Sequence, residues 1–168
     1  MQEYLSDAVV LDKVQNGDMD SRFFMFTKKF GKLAAKAKSA RKITSKLAGH
    51  LQPGNLVSAR FIERNGLQVV DALKRNKLNI GLTELYFLNK LLHEAEPEQR
   101  LWHLLVSERF DWIEILRILG WDADETSCQN CNTGKPVAFD IGVQEFLCEN
   151  CAIKTPADKL LYIVNGKG

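Results

Sequence analysis

The sequence predicts an α+β protein in successive parts: strands and turns over 1–76, helices over 77–127, a cysteine module over 128–151 and a short tail over 152–168. Three observations carry that reading. Two β-rich runs, Leu56–Arg64 and Leu67–Leu73, flank Asn65-Gly66, a strong hairpin signal because a type I′ turn needs positive φ at both central residues. Between Leu78 and Trp121 the apolar residues change to a helical period and are punctuated by capping residues. The stretch CQNCNTGKPVAFDIGVQEFLCENC, Cys128 to Cys151, holds every cysteine of the chain in two matched pairs.

In the first part, Ala8–Lys13 is a short β-branched run, Asn16-Gly17-Asp18 a turn signal and Arg22–Thr27 an aromatic-rich run. With the Asn-Gly hairpin this makes at least four strands, and all-β modules of this size are commonly barrels or sandwiches. KLAAKAKSARKITSKLAGHL, Lys32 to Leu51, admits two readings. One is a single basic amphipathic helix with Leu33, Ala37, Ala40, Leu47 and Leu51 near a 3.6 period, which helix propensity favours. The other is a strand over Lys32–Lys38, alternating Lys36 and Lys38 with Ala35 and Ala37, followed by a short helix ending near Leu51. A long helix points to a membrane surface or a helix-binding groove. The strand completes five strands with a helix between the third and fourth, the layout of an OB-fold barrel.

In the helical part, Thr83 is placed as the cap of a helix carrying Leu85, Leu88, Leu92 and Ala95. Pro97 suits the first turn of the next helix, with Leu101, Leu104 and Leu105. Asp111 and Glu114 resemble a capping box before Ile115 and Ile118, with Gly120 as a stop. These stripes, together with Trp102, Trp112 and Trp121, read as packing residues rather than a ligand box. His93 reads as a solvated helix end and His103 as a neighbour of the helical core.

The net charge of +2 conceals an asymmetry. Ser21 to Ile62 carries ten basic residues and no Asp or Glu, while the other 13 of 23 basic residues share the remaining chain with all 21 acidic ones, a balance of −8. A solvated lysine-rich face is the blander explanation, but ordinary solvated faces mix signs. A concentrated positive field recruits a polyanion: nucleic acid, an anionic membrane or an acidic protein segment. MQEYLSDAVV lacks the basic and apolar regions of a secretory signal, and no run approaches the ~18 apolar residues of a membrane span, so a cytoplasmic location is expected.

A reducing cytosol disfavours disulfides, so the C-x2-C-x16-C-x2-C spacing reads as thiolates on one structural zinc ion, with Cys128, Cys131, Cys148 and Cys151 as ligands. Val137–Asp140 and Val143–Leu147 are strand-like with Ile141-Gly142 for the reversal, so a hairpin brings the two knuckles together as a zinc ribbon. Four thiolates fill a tetrahedral shell and leave no position for water or substrate. The chain also lacks the H-x-E and P-C-x-x-C elements of a zinc deaminase, a Walker-type phosphate loop and a G-x-S-x-G elbow. The sequence offers no support for an enzyme, and no catalytic residue is assigned.

SRFFMFTKKFGKL (Ser21 to Leu33), KAKSARKITSKLAGHLQP (Lys36 to Pro53) and CQNC with CENC together resemble the bacterial recombination mediator family RecO. The resemblance covers about the first 75 residues and the cysteine segment, and is architectural over the helices. It implies an N-terminal five-stranded OB-fold barrel followed by a small helical domain carrying a four-cysteine zinc ribbon or knuckle. It also implies binding of single- and double-stranded DNA, annealing of complementary strands, and work with RecR and the single-stranded-DNA-binding protein in recombinase loading at the bacterial nucleoid. Members of the family usually continue with further helices after the knuckle, so a shortened C-terminal part, with or without the pocket for that partner's acidic tail, is expected here. Independently of the resemblance, single-strand binders combine a positive groove with aromatic faces. Arg22, Lys36, Lys38, Arg41, Lys42 and Lys46 are the candidate phosphate contacts, and Phe24 or Phe26 either stacks on bases or fills the core. An RNA-directed zinc-ribbon and OB-fold adapter, or a module binding membrane or an acidic protein, is the alternative.

Overall fold

The computed structural model describes residues 2–16, 20–38 and 46–163. The chain divides into two compact units, Met1–Arg109 and Phe110–Gly168. The first contains a closed barrel of five strands: β1 (Gln2–Asn16), β2 (Asp20–Thr27), β3 (Gly31–Ala37), β4 (Asn55–Glu63) and β5 (Leu67–Lys77). Their order around the barrel is β1-β2-β3-β5-β4, antiparallel throughout except where β3 meets β5 in parallel at Lys36↔Gln68. This is the OB-fold expected from the sequence.

The long β1 serves two neighbours. Its first half pairs with β4 from Gln2↔Glu63 to Val9↔Leu56, and its second half with β2 from Ala8↔Thr27 to Asn16↔Asp20. A register shift between Val10 and Asp12 bends the strand, as a bulge does at a barrel corner. Ala35 and Ala37 of β3 face inward opposite Phe23 and Ser21 of β2, and the small Ala35 makes room for the large Phe23. Phe23, Met25, Val57 and Phe61, all 0% exposed, fill the interior.

The ambiguous Lys32–Leu51 stretch is thus a strand first, not a continuous helix. Its Ala, Lys and Leu residues favour helix in isolation, but pairing with β2 and burial of the two alanines outweigh that preference. The short helix expected next falls largely outside the described residues; His50 N–H and Leu51 N–H both donate to the Leu47 carbonyl, at 3.1 and 2.9 Å, in the turn that follows. Gly17 and Asp18 of the first expected turn also lie outside the described residues. The Asn-Gly turn forms as expected, with φ +51 at Asn65 and +93 at Gly66.

Two helices pack with the barrel in this unit, α1 (Leu82–Leu91) and α2 (Gln99–Val106). The cap of α1 is Gly81, not Thr83: its carbonyl accepts from Leu85 N–H at 3.0 Å, and Thr83 lies within the first turn. The helix also stops short of Ala95, whose backbone turns to φ +59 and donates its N–H to the Lys32 carbonyl at 2.9 Å. Pro97 precedes the α2 cap, Glu98, whose carboxylate accepts from Arg100 N–H at 2.9 Å. His103 is exposed on α2 rather than against its core, with Nδ1 2.6 Å from the Gln99 carbonyl.

The α1–α2 connection therefore lies along the start of β3. The backbones of Lys32 and Glu94 form an isolated parallel β-bridge, and Gln99 Nε2 donates to the Lys28 carbonyl at 2.7 Å. Gly31, at φ +70, permits the approach: a Cβ there would lie 2.3 Å from the Glu96 backbone.

The second unit contains α3 (Trp112–Ile118), β6 (Ala138–Asp140), β7 (Glu145–Leu147), α4 (Glu149–Ala152) and β8 (Leu160–Tyr162). Asp111 caps α3 by accepting from Glu114 N–H at 2.8 Å, as the capping-box pattern predicts. The expected ribbon hairpin forms, with a four-residue turn over 141–144 in which Val143 is exposed rather than part of a strand. The stretch read from sequence as a tail contributes β8, which completes the sheet order β7-β6-β8. Trp121 packs on Phe139 at 5.2 Å, the packing role expected of it.

Replacing Gly31 with alanine combines a left-handed backbone penalty with a backbone clash. The expected loss is roughly 2 to 4 kcal/mol of unfolding free energy in a denaturant titration; a loss under about 0.5 kcal/mol would show that the α1–α2 connection does not press on β3.

Candidate nucleic-acid interface and metal centre

Strand register decides which cations share a surface. Arg22 of β2 lies directly opposite Lys36 of β3, so the two side chains leave the same face of the barrel, away from the interior lined by Phe23 and Ala35. Across the strands this row reads Val14, Arg22, Lys36, Gln68, from β1 through β2 and β3 to β5. Arg22 is exposed, Val14 is 46% exposed, Lys36 is half-buried and Gln68 is buried with its Nε2 donating to the Arg64 carbonyl at 2.6 Å. Lys38 is exposed just past the end of β3, and Lys46 is exposed where the 46–50 turn begins. Arg41 and Lys42 lie outside the described residues. The register thus joins two of the six predicted contacts in one row and leaves Lys46 in a separate turn.

Two other cations of the basic stretch have internal uses. Lys32 Nζ donates to the Asn89 carbonyl at 2.7 Å in the last turn of α1, where a cation complements both the open carbonyls and the helix dipole. Burial there lowers its pKa below the ordinary lysine value, Glu94 opposes that shift, and Lys90 adds to it. Arg60 meets Glu3 at 3.6 Å on the exposed outer side of β4 and β1. Sequence alone cannot separate these from Arg22 and Lys36, because the distinction depends on what crosses above each strand.

The metal centre is built by two knuckles and a sheet. In the first, Asn132 N–H donates to the Cys128 carbonyl at 2.8 Å, and Cys128 N–H donates to the Gly134 carbonyl at 3.2 Å. Asn132 and Gly134 have φ of +57 and +85, which closes the turn tightly enough that a Cβ on Gly134 would stand 3.1 Å from Cys148 Cβ. In the second, Cys151 and Ala152 N–H donate to the Cys148 carbonyl at 3.1 and 2.9 Å. Pairing of β6 with β7 brings the knuckles together.

All four Sγ atoms lie within 4.8 Å of one another, and Cys131 Sγ is 3.8 Å from Cys148 Sγ. Ligands ~2.3 Å from a central ion have a tetrahedral edge of ~3.8 Å, so the donor set fits zinc. Cys128 is fully buried, which disfavours its thiolate, but backbone N–H groups of Cys148, Cys131 and Asn130 outweigh burial and bring its pKa down to about 6. The Thr133 side chain, then its backbone, lowers the pKa of Cys131. Burial raises that of Cys151, and the neighbouring thiols raise it further. A bound cation favours thiolate at every one of these positions.

No histidine joins this cluster among the described residues, and His50 Nδ1 instead accepts from Lys74 N–H at 3.1 Å. Among the described residues, no helix is long and apolar enough to cross a membrane.

A closed OB barrel bearing a cationic row on β2–β3, in a chain with four clustered thiols whose spacing fits a metal ion, defines an OB-fold protein with a four-cysteine module. The family described as "Recombination protein O N terminal" matches residues 1–76, the barrel. A DNA repair protein RecO of Shouchella clausii is 30% identical over 177 residues, covering 88% of this chain and 68% of the relative. Proteins of the same name from Myxococcus xanthus and Geobacter metallireducens are 31% and 25% identical, covering 64% and 90% of this chain and 49% and 73% of their own lengths. The chain belongs to the RecO family of DNA repair proteins.

Proposed function

We propose that this chain is a DNA-binding recombination mediator. In this reading it binds and anneals single-stranded DNA and helps load recombinase together with RecR and the single-stranded-DNA-binding protein, in the bacterial cytoplasm at the nucleoid. It works by binding rather than by making or breaking bonds. Family membership supports the DNA-repair role. The observation that carries the binding site is the Arg22–Lys36 pair on the outer face of β2–β3. Lys38 extends that charge past the strand end, and Arg41, Lys42 and Lys46 are proposed as further phosphate contacts.

The chemistry follows from charge. Phosphates that meet the basic row release condensed counterions, which drives binding without regard to sequence. A cationic surface that meets two complementary strands lowers the repulsion between their backbones, so base pairing can proceed. A structural zinc ion held by Cys128, Cys131, Cys148 and Cys151 would supply four bonds that a small module cannot replace with apolar burial alone.

Neutralising about six phosphates on a single strand gives a log–log salt slope of roughly −4. Replacing Arg22 and Lys36 with alanine is expected to flatten it by about 1.4 and to weaken binding equally across sequences. Lys32→Met is the control, expected to cost about 1–2 kcal/mol of stability with the slope unchanged, since its ammonium is committed to Asn89. An unchanged slope in the folded double variant would place the DNA site elsewhere, and wild-type protein that binds anionic vesicles but no oligonucleotide would refute the reading.

For the metal, elemental analysis of purified protein should give one zinc per chain, and none after Cys128→Ser with Cys131→Ser. Loss of the ion should unfold the second unit, a change large against the ~5–15 kcal/mol stability of a domain. Retention of zinc by that variant would show that the ligand set is wrong.

A further inference from the structure

Strand β2 carries three aromatic residues and one methionine between Phe23 and Phe26, and the structure separates their roles. Phe23 and Met25 point inward and are 0% exposed. Phe26 points outward but is covered: it is 1% exposed, and its ring centroid lies 6.2 Å from that of Trp102 on α2. Phe24 also points outward, one row from Arg22, and is half-buried. Its partner on β3 is Ala34, itself half-buried, and its neighbour on β1 is Asp12. The side chain opposite the ring on β3 is thus a single methyl group.

We propose that Phe24 is a stacking platform for an unpaired nucleobase, placed so that the same strand's phosphates meet Arg22 and Lys36, and that it gives the barrel a preference for single-stranded over duplex DNA. The inference rests on the DNA-binding reading above and adds to it a residue and a strand preference. Residues two apart on a strand are ~7 Å apart, so a base on Phe24 leaves its backbone within reach of the long Arg22 and Lys36 side chains. Stacking accepts any base, because each has a π face. Bases inside a duplex are already stacked on their neighbours and do not offer that face, whereas a duplex still offers phosphates to the cationic row. Phe26 cannot serve in the same way, because Trp102 occupies the side it presents.

The test uses the full chain, an oligo-dT single strand and a duplex of the same length. Phe24→Ala removes the ring, and Phe24→Leu keeps much of its apolar volume without a π face. Both are expected to weaken oligo-dT binding about 5- to 150-fold. The salt slope and duplex binding should stay at wild-type values in both variants. Phe24→Trp should retain single-strand affinity and add a fluorescence quench on binding, relative to the signal of the three native tryptophans. Phe24→Leu binding oligo-dT as wild type does, while the Arg22 and Lys36 variant weakens, would overturn the stacking role and leave the DNA-binding reading intact. Equal losses on single strand and duplex would also overturn it, showing that Phe24 only supports the barrel. Wild-type protein that binds neither probe would remove both readings.

Discussion

The placement of β3 is the constraint on which the first unit depends. That strand must pair with β2 on one side and meet β5 on the other for the barrel to close, and it does so with a sequence whose local preference is helical. What decides the outcome is period-two alternation. Ala35 and Ala37 turn into the barrel core opposite Phe23 and Ser21, while Lys36 leaves on the outer face. A helix over the same residues would distribute the lysines and alanines around a cylinder and could not deliver one set to an apolar interior and the other to water. A one-residue slip of β3 would send Lys36 inward and Ala35 outward, so the register that buries the core also places the cationic row.

The same placement partitions the charge. Over Ser21–Ile62 the sequence is uniformly basic, and no rule of composition distinguishes one lysine from the next. The α1–α2 connection does, by crossing the start of β3: Lys32 then lies over Asn89 and is committed to the end of a helix, while Lys36, four residues on, lies beyond that cover. Gly31 permits the close approach on which this depends. The boundary between a structural and a solvent-facing cation thus falls within a single strand. The same cover explains why Phe26 is closed off by Trp102 while Phe24, two residues earlier, is only half-buried.

What is legible in the sequence follows from the range of each interaction. The Asn65-Gly66 hairpin, the Asp111 cap and the cysteine knuckles are local, set by residues within a few positions of one another, and each forms where the pattern places it. The β3 assignment is open on residue pattern alone, because the partner strands that settle it are distant in sequence. The end of α1 is hidden for a related reason: Ala95 continues an apolar period, but its N–H is taken by the Lys32 carbonyl, a contact spanning 63 residues. Cap statistics favour Thr83 over Gly81, yet the extended backbone at Gly81 already supplies the carbonyl for Leu85. Strand β8 leaves little trace because three residues carry too little periodicity to announce a strand, and it exists only through pairing with β6.

A mediator that anneals DNA faces opposed demands, and the geometry of β2–β3 bears on how both are met in the proposed role. It must hold single strands against competing binders, yet release them once they pair. Contacts to phosphate alone favour the paired product, since a duplex presents even denser charge, and so work against release. A face that combines charge with an aromatic ring opposes this: base pairing withdraws the stacked base from the ring while the electrostatic contacts persist. On the proposal for Phe24, one stacking interaction would offset part of that duplex advantage and set how strongly the single strand is held. An enzyme-like pocket would work against this cycle, because burying a base deeply raises the energy needed to let it pair. Phe24, half-buried between Ala34 of β3 and Asp12 of β1, lies on a strand face rather than in an enclosed pocket, which is the arrangement the proposed role calls for.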